Sequence, residues 1–310
     1  MFSHSVPFNP AKDIPDLSSK IILVTGGNVG LGKETVLQLS KHNPSTLYLA
    51  ARSRAKFDTA HADILKSNPT ANITFLELDL SSFPSIKNAA STVLATSPRL
   101  DLLINNAGVM ALPPGLTTDG YEIQFGTNHM GHALLTKLLM PLLLKTADQP
   151  DSDVRIINLS SAGEGLAPKG GFLPDKATTT MESYHSYTRY GHSKLANVLF
   201  AKELARRYPS IKSVSIHPGR VQTNLLNHFF ENLTFTSAFQ KTYDFFDSVS
   251  VEKGVYNQLW AAVGDKDRVK SGEYYSPVGK GGGQSAPGKD MQLAGKLWEW
   301  QEAEFAKKGY

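Results

Sequence analysis

Residues 21–39 read IILVTGGNVGLGKETVLQL: an apolar run fit for a strand, a glycine-rich turn, then a segment whose apolar positions recur at helical spacing. Gly26, Gly30 and Gly32 stand in the pattern G-x-x-x-G-x-G, with Asn28 and Leu31 inside the turn. Glycine lets the backbone come close to a bound group, and the following helix offers open N–H groups and the positive end of its dipole. Strand, turn and helix in this order make a pyrophosphate-binding unit. A turn that binds nothing is the plainer reading of the glycines alone.

Outward from this unit, strand-like runs alternate with helix-like stretches from Lys20 onward, which argues for parallel strands joined by right-handed crossovers. The pattern predicts strands near 20–25, 46–51, 73–78, 101–105, 154–160 and 212–217, and a last one near 273–276. IILVT, LYLAA, DLLIN and VRIINL are almost continuously apolar, as strands covered on both faces require. The expected fold class is α/β: a single Rossmann-type doubly wound domain over residues 20–310, with about seven parallel strands and helices on both faces. Residues 1–19 read as an extended N-terminal arm.

Two stretches interrupt the rhythm. Residues 164–188 are rich in Gly, Pro, Lys and Thr, and residues 222–251 are dense in Phe, Asn and Ser. Long connections of this kind serve as lids or mobile segments, and 222–251 is the expected substrate lid. Its aromatic residues, between Leu225 and Phe246, either wall an apolar pocket or pack the lid onto the core. GKGGGQSAPGK, residues 279–289, reads as a flexible linker before a final helix at 293–308.

Apolar residues make up 41% of the 310 positions, enough for a substantial core. The net charge of +4 comes from 32 basic residues scattered among 28 acids, so no basic patch invites nucleic acid. With no cysteine, disulfides and thiolate chemistry are excluded. His129, His132, His185, His192 and His217 form no compact ligand pattern, and no metal is expected. The N-terminus lacks a secretory signal, and the most apolar window, 133–144, is too short to span a bilayer and is broken by Lys137 and Pro141. A cytoplasmic protein without an integral membrane segment is the expectation.

An acid about 20 residues past such glycines holds the adenosine ribose when NAD is bound. Here the second strand ends LAARSR, with Arg52 and no acid before Asp58. A guanidinium suits the extra 2′-phosphate of NADP, which makes NADP(H) the expected cofactor; a solvated loop arginine is the alternative. Asp79, closing FLELDL, either reaches the adenine amino group or serves as a turn or cap carboxylate.

Tyr190 and Lys194 are four residues apart in RYGHSKLANVLFAKELA and so share one helical face. A phenol beside an ammonium gains acidity, which makes Tyr190 a usable acid/base near neutral pH.

TGGNVGLG, the NNAG of 105–108, INLSS, YGHSK and HPGRVQT occur together in the order and approximate spacing of the short-chain dehydrogenase/reductase family, which the chain resembles over residues 20 to 225. YGHSKLAN and the long segment before it resemble its retinol-dehydrogenase-like branch. The resemblance implies interconversion of a carbonyl and an alcohol, with Tyr190 as proton donor and Lys194 holding the nicotinamide ribose while lowering the Tyr190 pKa. It implies that Ser161 holds the substrate oxygen, in preference to Ser160, and that Asn128 binds a backbone group and a water linking Lys194 to solvent. Asn106, Ala107 and Gly108 are implied beside the cofactor, and Pro218, Gly219, Val221 and Thr223 around its carboxamide. Reduction of an apolar ketone or aldehyde is the expected direction. A non-redox isomerase or cyclase, and a cofactor-binding scaffold without turnover, are the rival readings. The family also pairs subunits through the helix of Tyr190 and the one before it, which implies a homodimer or homotetramer.

Overall fold

The computed structural model describes residues 5–221 and 249–310. Most of the expected lid, including Thr223 and the aromatic run, lies outside the described residues.

Seven parallel strands form one sheet in the order β3-β2-β1-β4-β5-β6-β7: β1 Ile21–Thr25, β2 Thr46–Ala51, β3 Ile73–Glu77, β4 Leu102–Asn105, β5 Arg155–Leu159, β6 Lys212–Ile216 and β7 Tyr274–Tyr275. Every residue of β1, β4 and β5 is buried, which is why those runs carry no polar alternation. Helices α1 Gly30–Ser40, α2 Arg54–Ser67 and α6 Tyr256–Val263 pack on one face. Helices α3 Phe83–Thr96, α4 Gly131–Ala147, α5 Ser186–Arg207 and α7 Met291–Lys307 cover the other. Strand order reverses between β1 and β4, and ligands of open α/β sheets bind in the crevice at the carboxyl ends of such a pair.

The 164–188 segment is anchored by the buried Phe172, Ala177 and Met181, while most of its other residues stay at or near the surface. Phe172, 1% exposed, joins a cluster of near-parallel rings with Phe125 at 5.9 Å and His192 at 5.7 Å, themselves 4.8 Å apart, and meets Trp300 of α7 edge-on at 5.3 Å. The glycine-rich 279–289 stretch, expected to be flexible, is tied down: buried Glu164 accepts from both N and Oγ of Ser285 at 2.6 Å. The arm packs too, with Val6 N donating to Val278 O at 2.9 Å and Ile14 and Leu17 buried. Among the described residues no helix is long and apolar enough to cross a membrane.

Candidate active site

Gly26 leaves β1 with a φ of +65°, a conformation that L side chains rarely adopt. A Cβ on Gly32 would stand 2.2 Å from the Gly26 carbonyl oxygen and 2.5 Å from Asn106 Nδ2, so only glycine lets α1 begin this close to β4. Val29, at the N-cap of α1, makes no side-chain cap bond, which leaves the first-turn N–H groups open to an anion. Asn28 lies in the glycine turn and Leu31 in the first turn of α1, and Leu31 reaches the loop after β6: a Cβ on Gly254 would touch both Leu31 Cδ2, at 3.0 Å, and Val221 Cγ2, at 2.5 Å.

Arg52 follows β2 directly and is exposed, and its guanidinium has no partner among the described residues. Arg54, by contrast, is committed to Asp58 at 2.9 Å and lies over the rings of Phe57 and Phe75. Asp79 Oδ1 accepts from Ser81 N at 2.9 Å and Ser81 Oγ at 2.7 Å, while Ser82 caps α3; the turn reading of Asp79 describes its bonds, and the cap reading does not.

The NNAG segment is held by a residue outside the expected set. Thr25 Oγ1 accepts from Asn106 N at 2.9 Å and Ala107 N at 3.0 Å, and Asn106 Nδ2 donates to Thr25 O at 2.8 Å. The Thr25 hydroxyl also lies 2.8 Å from His132 Nε2, and His132 Nδ1 lies 2.9 Å from the Asn128 carbonyl oxygen. Burial brings the His132 pKa down to about 3, so the ring is neutral. Since a carbonyl only accepts, Nδ1 carries the hydrogen, and Thr25 donates to Nε2.

Asn128 lies in a π-helical turn, Gly126–Met130, that leads into α4. Its side chain grips the backbone of Val109 both ways, accepting from Val109 N at 2.7 Å and donating to Val109 O at 2.9 Å. Nδ2 also donates to Ser193 Oγ at 2.9 Å, and Ser193 donates to Tyr190 O at 2.7 Å. A continuous polar chain thus runs from the end of β1 to the helix of Tyr190. The signal for it in the sequence is His132, four residues after Asn128 and so on one helical face, and the threonine that precedes the glycines.

Tyr190 and Lys194, 6% and 3% exposed, lie on α5, with Lys194 Nζ 5.6 Å from the Tyr190 ring centroid. A Cβ on Gly108 would lie 3.4 Å from Lys194 Nζ and 3.3 Å from Asn128 Oδ1, which puts the NNAG segment against both. Burial pushes the Tyr190 phenol up to about 12, and a hydrogen bond from Ser161 pulls the other way. Loss of solvent outweighs the neighbouring groups, so the phenol of the protein alone stays protonated, above its ordinary range and not below it as expected. Lys194 is itself lowered to about 8 by burial.

Ser161 sits where β5 ends, capping a 3-10 turn, Ala162–Leu166, and accepts from Gly163 N at 3.0 Å. Its hydrogen stays available for the phenol side. Ser160 is spent on structure, donating to Lys194 O at 2.8 Å. After β6, Gly219 turns with a φ of +89° and Val221 bridges Val249. Ser161, Tyr190, Lys194, Asn128 and the NNAG segment therefore converge at the carboxyl ends of β1, β4 and β5.

Residues 20–172 match the family model described as short chain dehydrogenase. A short-chain dehydrogenase/reductase, drtF, of Aspergillus calidoustus is 36% identical over 95% of this chain and 96% of that protein. Human retinol dehydrogenase 13 is 36% identical over 91% of this chain and 83% of its own length. Among solved structures, a protein from Mycobacterium paratuberculosis superposes with a TM-score of 0.74 at 26% identity, covering 97% of this chain and 98% of that one. The NADPH-bound carbonyl reductase from chicken fatty liver gives 0.59 at 26% identity, covering 83% and 96%. With the glycine turn, the serine and the tyrosine–lysine pair in register on a seven-stranded parallel sheet, the chain belongs to the short-chain dehydrogenase/reductase family, as an oxidoreductase acting on CH–OH groups in its retinol-dehydrogenase-like branch.

Proposed function

We propose that the protein is an NADP(H)-dependent carbonyl reductase for an apolar ketone or aldehyde, with Tyr190 as the proton donor. The observation that carries the reading is the buried phenol of Tyr190, which meets Ser161 across Gly163 and lies one helical turn from Lys194. The residues fit a dinucleotide: the cradle at Gly26 and Gly32 excludes side chains, the N–H groups of α1 are uncapped, and Arg52 has a free guanidinium for a 2′-phosphate.

When bound, the reduced dinucleotide supplies the hydride that attacks the carbonyl carbon. Tyr190 Oη gives its proton to the carbonyl oxygen as that atom gains charge, and the product is the alcohol. Ser161 Oγ, oriented by Gly163 N, donates to the same oxygen and stabilises the developing charge. Lys194, as ammonium, stabilises the phenolate left behind and holds the ribose. Asn128 keeps Val109 and the start of α4 in place beside Lys194.

The test is NADPH consumption over a panel of apolar ketones and aldehydes, repeated with NADH and with Tyr190→Phe. The reading expects turnover with NADPH, its loss in Tyr190→Phe and unchanged NADPH affinity in that variant. Tight NADPH binding without consumption on any member would overturn it in favour of a non-redox enzyme or scaffold. A strong NADH preference would remove the role given to Arg52.

A further inference from the structure

One charged pair lies wholly inside the protein and outside the proton path. Arg189 Nη1 donates to Glu122 Oε1 at 3.0 Å, the side chains being 2% and 0% exposed. The other Glu122 oxygen accepts from Gln124 N and Phe125 N at 2.9 and 2.7 Å, capping the turn that leads to Asn128. The Arg189 fork also reaches two successive carbonyls, Leu112 O at 2.8 Å and Pro113 O at 3.4 Å. In the same loop Ala111 has a left-handed φ of +58°, held through its N–H by Gln124 Oε1 at 3.0 Å, and Gln124 Nε2 donates to Ser186 O at 3.0 Å.

Loop 109–113 is therefore strung between Asn128, which grips Val109, and Arg189, the chain neighbour of Tyr190. A buried ion pair contributes little stability compared with apolar groups of the same shape, because desolvation offsets the attraction. A strained alanine persists only where its surroundings over-determine it. Both costs fall on one half-exposed loop that directly follows Gly108, which lies against Lys194 and Asn128. We infer that Arg189 and Glu122 are positioning residues that fix loop 109–113 as a wall of the carbonyl-binding site, setting how the substrate sits against Tyr190. The inference rests on the role proposed for Tyr190 and names the part of the chain that governs substrate fit.

Three forms test it: wild type, Arg189→Lys, and the double variant Glu122→Gln/Arg189→Met. The lysine keeps the charge but loses the fork, and the double variant leaves no unpaired charge behind, so it folds even where a single change would not. Both variants are expected to keep NADPH affinity within about twofold while kcat/KM for the best ketone falls about tenfold or more. Amide exchange at 109–116 should rise about tenfold in both.

A merely structural role predicts that activity follows thermal stability; recovery of kcat/KM in a double variant as stable as wild type overturns the inference. Unchanged amide exchange at 109–116 in the folded variants overturns it as well. That last measurement stands even if wild type reduces no carbonyl, a result that would sink the proposed reaction separately.

Discussion

Lys194 Nζ donates to the carbonyl oxygen of Leu159 at 3.0 Å, in the carboxyl end of β5, and Asn197 Nδ2 shares that acceptor at the same distance. The ammonium is thereby fixed by a neutral carbonyl, and among the described residues no carboxylate pairs with it. Burial then dominates: it lowers Lys194 to about 8 and raises Tyr190 to about 12. At neutral pH the pair is an ammonium beside a protonated phenol, the state that reduction requires.

The first prediction is a pH limb. Because kcat/KM for NADPH reports groups of the free enzyme, it should fall as pH rises through about 8, where Lys194 loses its proton. Lys194→Arg, always charged, should move the limb upward at a lower plateau. Stability runs the other way. Between about 8 and the ordinary 10.5 the unfolded chain holds the proton that folded Lys194 has lost, so unfolding midpoints in urea should rise over that window. An unchanged limb in Lys194→Arg would reassign it to another group.

Cofactor choice gives the second. Arg52 has no competing partner, so removing it leaves the rest of the fold untouched. Arg52→Ala should raise KM for NADPH by about tenfold to a hundredfold, the worth of a charge-assisted bond, and leave KM for NADH within about twofold. Equal loss with both cofactors would mean that the guanidinium does not read the phosphate.

The sheet was legible because its central strands are buried on both faces and read as continuous apolar runs, and each expected range matches an observed strand to within about two residues. Tyr190, Lys194, Ser161 and Asn128 were legible because their motifs fall at strand ends and on one helical face. Three things were hidden. The tie between Glu164 and Ser285 joins residues far apart in the chain, and nothing local distinguishes a pinned glycine-rich loop from a loose one. The Thr25–His132–Asn128 chain depends on the crossover from β3 to β4, which sets β4 and the helix after it beside β1. The pKa of Tyr190 depends on burial, which spacing alone does not reveal.

The third prediction concerns association. The apolar faces of α4 and α5, expected to pair subunits, are covered by the chain's own α7: Trp298 stacks on Phe200 at 5.8 Å, Gln301 lies 3.0 Å from His129 Nε2, and Lys137 pairs with Glu302. Phe305 and Leu297 of α7 are 0% and 1% exposed. Deleting residues 291–310 should uncover this face, lower thermal stability and drive dimers or aggregates seen by size exclusion with light scattering. A truncated chain that keeps the size and melting temperature of the full one would show that α7 is not what occupies the face.

The last prediction turns on one hydroxyl. Thr25 Oγ1 serves two amides, Asn106 N and Ala107 N, and donates to the neutral ring of His132, which in turn holds the Asn128 carbonyl. Valine has nearly the same shape, so Thr25→Val should preserve packing while stranding the Ala107 N–H and one ring nitrogen, Asn106 N keeping the Ile104 carbonyl at 2.9 Å. Leaving such groups unmatched costs about 1–3 kcal/mol in unfolding free energy. The loss should also reach the site, because the NNAG segment lies against Lys194 and Asn128 through Gly108. Turnover and NADPH affinity should therefore both decline, whereas Thr25→Ser, which keeps the oxygen, should recover most of each. If the valine variant matches wild type in urea midpoint and in NADPH titration, the polar chain from β1 to α5 carries no energy, and the geometry of Asn128 is set by helix packing alone.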